Sequence, residues 1–179
     1  MKTYNLSIVG LTRQLPIVRL SDNLSIASFV LLGDTELARL GAQALAEKIT
    51  LPFDFFLTAG AKGIPLVQCI AQEFNHPKFY VARKTVKAYM EQPLTTEVYS
   101  ITTQAVQTLV LDGRDVLELK GKRVVLIDDV ISTGDSLAAL KNLAEDAGAV
   151  VIDQIALLAE GPASERTDIK FLEKLPLFK

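Results

Sequence analysis

The stretch VVLIDDVISTGDSL, Val124 to Leu137, decides the reading of this chain. Four consecutive apolar residues, Val124 to Ile127, suit a strand buried on both faces, as in the centre of a parallel sheet. Asp128 and Asp129 follow directly, and the strand is expected to end at Asp128. Ser132, Thr133 and Gly134 then make a turn. Asp135 opens a helix expected to reach Ala147, with Leu137, Leu140 and Ala144 inward and Gly148 as its stop. Ser, Thr and Asp are ordinary capping residues, so a capped helix after a buried strand accounts for Ser132 to Ser136. It does not account for two carboxylates placed directly after VVLI, because acids at a buried strand end are costly without partners.

The same residues have a chemical use. Open parallel sheets bind ligands beyond the carboxyl ends of their strands. Amides of the turn and of the helix N-terminus point at an anion there. The hydroxyls of Thr133 and Ser136 can donate to phosphate oxygens, and Gly134 lets the backbone approach closely. Ionised Asp128 and Asp129 accept hydrogen bonds from hydroxyls or hold hydrated Mg²⁺. A phosphate beside a vicinal diol describes a ribose 5-phosphate.

Working outward, the chain alternates strands and helices. Asp34 can cap a helix whose Leu37, Leu40, Ala44, Leu45 and Ile49 share a face. DFFLT (Asp54 to Thr58) reads as a strand, Gly60 and Gly63 punctuate a turn, and Pro65 suits a first helical turn. KFYVA (Lys78 to Ala82) and Ala149 to Ala159 complete the strands. Repeated strand–helix–strand units predict an α/β fold: an open, mainly parallel twisted sheet with helices on both faces. Residues 1–33 read as an N-terminal extension with strand character, and residues 34–179 as the core. Residues 85–122 show no clear helix. Within them Thr95 to Leu111 alternates like a hairpin, expected to form a flexible loop, residues 85–105, over a site.

Composition bounds the function. The chain has 179 residues, 49% of them apolar, so a sizeable core can form. Nineteen basic and 21 acidic residues give a net charge of −2, which argues against a nucleic-acid partner. Cys69 and His76 are single copies, so neither an internal disulfide nor a structural zinc site is expected. No apolar run approaches the roughly 20 residues that span a bilayer, and the N-terminus does not resemble a signal peptide. A cytoplasmic protein without a membrane partner is expected.

VLIDDVISTGDS resembles the signature of the type I phosphoribosyltransferases, and residues from Asp34 to Ala159 are compatible with that family. TAGAKGIP (Thr58 to Pro65) stands where the family has its pyrophosphate-binding loop. VARK (Val81 to Lys84) resembles a strand end of the adenine branch. The resemblance implies a purine phosphoribosyltransferase using phosphoribosyl pyrophosphate (PRPP), with adenine the favoured acceptor. It implies that Ala59, Gly60, Ala61, Lys62, Gly63, Arg83 and Lys84 hold the pyrophosphate. Asp128 and Asp129 would hold the ribose hydroxyls, and Ser132, Thr133, Gly134, Asp135 and Ser136 the 5′-phosphate. Asp128, Asp129 and Arg83 would be the catalytic residues. Mg²⁺ would bind through the pyrophosphate and ribose hydroxyls, with no metal ligand set of the chain's own. The N-terminal segment would be a hood over the base, with Phe29 and Val30 against it, and the chain would form a homodimer. Three positions depart from the pattern. Asp135 stands where many members have Gly, and so is expected to contribute only its backbone. Thr102, in YSITTQ, replaces an acid of the adenine branch. Ser132 replaces an Asp of the hypoxanthine–guanine branch. The alternatives are a hypoxanthine-, guanine- or xanthine-specific enzyme and a PRPP-sensing module without turnover.

Overall fold

The computed structural model describes residues 2–100 and 105–178. Five strands form one parallel sheet: β4 (Phe55–Ala59), β5 (Tyr80–Ala82), β8 (Arg123–Ile131), β9 (Val150–Glu160) and β10 (Lys170–Leu175), in the order β10-β9-β8-β4-β5. Side chains alternate across a strand, and the two faces of this sheet bury different partners. Phe56, Val125 and Ile127 pack with α1 (Thr35–Ala46) and α2 (Ile64–Glu73). Leu57, Val124 and Leu126 pack with α4 (Asp135–Asp146) and with Leu119 of α3 (Gly113–Leu119). The run VVLI therefore feeds both layers of the core, and each of its four residues is fully buried.

The N-terminal strands β1 (Thr3–Ile8), β2 (Leu11–Ser21) and β3 (Leu24–Ala27) form a second, antiparallel sheet. Its fourth strand is β11 (Leu177–Phe178) from the other end of the chain, so the order is β1-β2-β3-β11. Arg13 ties this sheet to the main layer. Its Nε donates to Asp34 Oδ2 at 2.7 Å, and its NH2 donates to Glu36 at 2.8 Å. Asp34 in turn accepts from the Leu37 amide and caps α1 as expected. The Arg13 guanidinium holds the Asp34 carboxyl below its usual range.

Two expectations are corrected. Residues 85–122 do contain a helix, α3, capped by Asp112, whose side chain accepts from the Arg114 amide. Strand β8 does not stop at Asp128. It continues to Ile131, paired with β9 through Asp128↔Ala156, Val130↔Leu158 and Ile131↔Ala159, while its pairing with β4 ends at Thr58↔Ile127. The hairpin forms from β6 (Leu94–Ser100) and β7 (Ala105–Leu111), and its described strands lie along α4, where Thr96 Oγ1 donates to Asp146 at 3.1 Å. Thr102 lies outside the described residues. No helix among them is long and apolar enough to cross a membrane.

The amino end of the sheet is pinned by Asp54 and Arg123. The Asp54 carboxylate accepts from the Arg123 amide at 2.8 Å and from its guanidinium at 3.0 and 3.1 Å. These hydrogen bonds hold Asp54 down to about 2. An acid with a depressed folded pKa stabilises the fold above its unfolded value, about 3.9, and loses that contribution as pH falls through the folded one. Asp54→Asn is expected to lower stability at pH 7 by up to about 1 kcal/mol, because the pair is partly exposed. The difference from wild type should close between pH 4 and pH 2 in urea titrations; a difference independent of pH would contradict the ion pair's role.

Candidate active site

The unequal pairing of β8 opens the site. Where β4 ends and β9 continues, Asp128 and Asp129 leave the covered part of the sheet and face a cleft of about 400 Å³. Asp129 is buried at 4% exposure, and its Oδ2 has no hydrogen-bond partner among the described residues. The Asp129 amide donates to Asp128 Oδ1 at 2.8 Å. Burial, and then the neighbouring Asp129 carboxylate, push the Asp128 carboxyl well above its usual range, while Lys62 pulls it down. A buried acid pair with an unfilled acceptor is an arrangement suited to hydroxyl donors or to a cation arriving with a ligand.

One wall of the cleft is the turn Ser132, Thr133, Gly134 and Ser136, leading into α4. Gly134 caps that helix in the left-handed region at φ 88°. A Cβ there would lie 2.4 Å from the Arg166 guanidinium, so the turn is closed from behind by this side chain. Arg166 is itself held by Asp168, with Nε–Oδ1 2.9 Å and NH2–Oδ2 2.6 Å. Gly134→Ala therefore meets both a strained φ and a clash. It is expected to cost roughly 1–3 kcal/mol and to weaken phosphate binding, read by thermal denaturation with and without inorganic phosphate. A variant as stable and as responsive as wild type would contradict the close approach.

The opposite wall is the loop Ala59, Gly60, Ala61 and Lys62, with Lys84 beyond it. The Gly60–Ala61 peptide is cis, and the Gly60 amide donates to Ala82 O at 2.8 Å. Gly63 lies behind this loop, against Thr58. Phe29 and Val30 of the N-terminal segment close a third side, with Ile26, Ala27 and Ser28.

Most of the residues singled out in the sequence thus meet in one cavity: Ala59 to Lys62, Lys84, Asp128, Asp129, Ser132 to Gly134, Ser136, Phe29 and Val30. Three donor-site candidates do not line it. Gly63 is packed under the loop. Asp135 turns its carboxylate to the Thr133 hydroxyl, which donates to it at 3.1 Å. Arg83 is bound through its backbone to Val110 of β7, at 2.8 and 2.7 Å in the two directions, and is not brought to the cleft. Sequence reasoning missed Glu160 and Leu175, which line the cleft from the ends of β9 and β10, and Arg166. Glu160 carried the same signal as Asp128, an acid directly after a buried apolar strand.

Residues 32–175 match the family model of the phosphoribosyl transferase domain. The hypoxanthine/guanine phosphoribosyltransferase of Methanococcus voltae is 30% identical over 141 residues, which cover 79% of this chain and 71% of that protein. The enzyme of the same name from Methanocaldococcus vulcanius is 33% identical over 114 residues, 64% of this chain and 58% of its own length. Among solved structures, the adenine phosphoribosyltransferase of Thermoanaerobacter pseudethanolicus shares the fold at a TM-score of 0.70 with 21% identity. That superposition covers 89% of this chain and 95% of that one. With its signature strand, turn and cleft in place, the chain belongs to the phosphoribosyl transferase domain family, a family of glycosyltransferase-type enzymes.

Proposed function

We propose that this chain transfers the 5-phosphoribosyl group of PRPP to a ring nitrogen of a purine base. The observation that carries this reading is the convergence of three features on one cleft: the phosphate turn Ser132–Ser136, the acid pair, and the small-residue loop with Lys62. In the reaction the C1′–oxygen bond breaks, pyrophosphate leaves with the electron pair, and the nitrogen lone pair forms the C1′–N bond. The proton on that nitrogen is released. Asp128 and Asp129 orient the ribose through its hydroxyls and favour positive charge on the sugar. Lys62, Lys84 and the amides of Ala59 to Lys62 stabilise the charge that grows on pyrophosphate, a preorganised electrostatic role. Thr133, Ser136 and the amides at the α4 N-terminus seat the 5′-phosphate.

Mg²⁺ fits this site only together with the donor. The described residues hold no group of three or more His, Cys, Asp or Glu positioned around a metal, but the unfilled Oδ2 of Asp129 supplies a hard oxygen of the kind Mg²⁺ takes. The ion would neutralise pyrophosphate and draw its remaining ligands from the donor and water.

Within the purines, we favour hypoxanthine or guanine over the adenine expected from VARK. The relatives at 30–33% identity carry that name, whereas the adenine enzymes share the fold at an identity too low to carry a base preference. The test is nucleotide formation from PRPP and Mg²⁺ with guanine, hypoxanthine, xanthine and adenine in turn. Turnover is expected with the first two, and no product from any base would overturn the reading. By the family resemblance we also infer a homodimer, which light scattering would register as twice the 19.5 kDa chain mass.

A further inference from the structure

The cleft has two chemically different ends. Across the sheet, its lining runs from Leu175 on β10 and Glu160 on β9, past the acid pair of β8, to the Ala59–Lys62 loop after β4 and Lys84 after β5. The β8, β4 and β5 end carries the features suited to phosphate, ribose and pyrophosphate. The β9 and β10 end lies beside the N-terminal sheet, because β11, directly after β10, pairs with β3. That end is largely apolar, with Phe29, Val30 and Leu175 beside Ser28, and Glu160 is the charged group it presents.

Glu160 is half-buried, and among the described residues no hydrogen bond or ion pair engages its carboxyl. Its place is set by parallel pairing, Leu175↔Glu160, at the last residue of β9. Burial pushes the carboxyl up from its usual range, and the Lys62 ammonium pulls it back. A carboxylate kept among apolar groups, without a protein donor, is costly unless a ligand supplies the donor.

We propose that Glu160 is the specificity-determining residue for the acceptor base, its carboxylate receiving the N1–H and 2-amino N–H of guanine. This rests on the purine reading above. Guanine presents those two donors side by side, which a carboxylate accepts as a pair. Hypoxanthine presents the N1–H alone. At the same edge adenine presents a bare N1 lone pair and a C2–H, so a carboxylate gains no hydrogen bond and meets one repulsion. The predicted order is guanine, then hypoxanthine, then adenine.

Glu160→Gln tests this at constant shape. The amide keeps one acceptor but turns an N–H₂ toward a donor of guanine, whereas that N–H₂ can donate to the bare N1 of adenine. We expect kcat/KM for guanine to fall about 10- to 100-fold, the worth of one hydrogen bond to a charged group. Adenine should rise relative to it, with the KM for PRPP unchanged and the thermal midpoint unchanged or raised. An unaltered guanine-to-adenine ratio would overturn the proposal while leaving the purine reading intact. So would an intact ratio with a raised KM for PRPP, which would make Glu160 a positioning residue for Lys62. If the wild-type enzyme uses no purine, the purine reading itself fails, and the proposal with it.

Discussion

Replacing Asp128 and Asp129 together by asparagine is expected to lower kcat/KM for phosphoribosyl transfer by about 10³-fold or more, the scale of removing a preorganised charge from a transition state, while the fold survives or gains stability. The two effects have opposite signs for one reason. In the free protein the acids are a cost: Asp129 is buried with Oδ2 unpartnered among the described residues, and Asp128 is held above its usual range by burial and by its neighbour. Amides remove the like-charge repulsion at nearly constant volume. An acid whose folded pKa is raised destabilises the fold above that pKa, and the cost disappears as pH falls to the unfolded value near 3.9. The variant should therefore melt at or above the wild-type temperature at pH 8 and lose that advantage toward pH 4. Mg²⁺ and PRPP together should raise the wild-type midpoint and leave the variant's unmoved. A variant that keeps its turnover, or one that unfolds at neutral pH, would contradict this account of the pair.

The second large effect is expected at Gly63. Its φ of −73° is open to any residue, so the constraint is space alone. A Cβ at this position would lie 2.1 Å from Thr58 Oγ1, 3.4 Å from Thr58 Cβ and 3.5 Å from the Ile127 carbonyl oxygen. Thr58 is fully buried, and its hydroxyl has no partner among the described residues. Gly63→Ala must push the Ala59–Lys62 loop away from β4 and β8. Overpacking of this kind costs roughly 1–3 kcal/mol, and the displaced loop should weaken donor binding as well. Thr58→Ala removes the clashing atom, and alone it should be nearly neutral because it deletes an unpaired buried hydroxyl. The double variant should recover most of the loss, giving a coupling of about 1 kcal/mol or more by denaturant titration. Additive single effects would show that the two side chains are not in contact.

Much of this architecture was legible in the sequence, for identifiable reasons. VVLI reads as a strand buried on both faces, and its four residues do divide between the two cores. Asp34 and Pro65 announced two helices by their capping chemistry. Helix α3 was hidden because Asp112-Gly113 reads as a turn and seven residues give little periodicity; Leu119 alone is buried. The two-residue β11 has no local signal, since its pairing with β3 joins the two ends of the chain. Arg166 behind Gly134 is likewise a contact between distant segments. The placement of Arg83 had a local clue that the pattern VARK obscured. Neighbouring residues in extended backbone face opposite sides, so Lys84 can line the cleft while Arg83 does not. Glu160 followed the same rule as the acid pair and stood one strand further along.

The central claim is that the cleft beneath Val124 to Leu137 holds PRPP. Isothermal titration of the wild-type protein with PRPP in the presence of Mg²⁺ tests it most directly, with ribose 5-phosphate as a partial ligand. One site per chain is expected, with ribose 5-phosphate binding more weakly at the same site and with binding lost in the Asp128→Asn, Asp129→Asn variant. No binding of PRPP by the wild-type protein, or equal binding by the variant, would contradict the account.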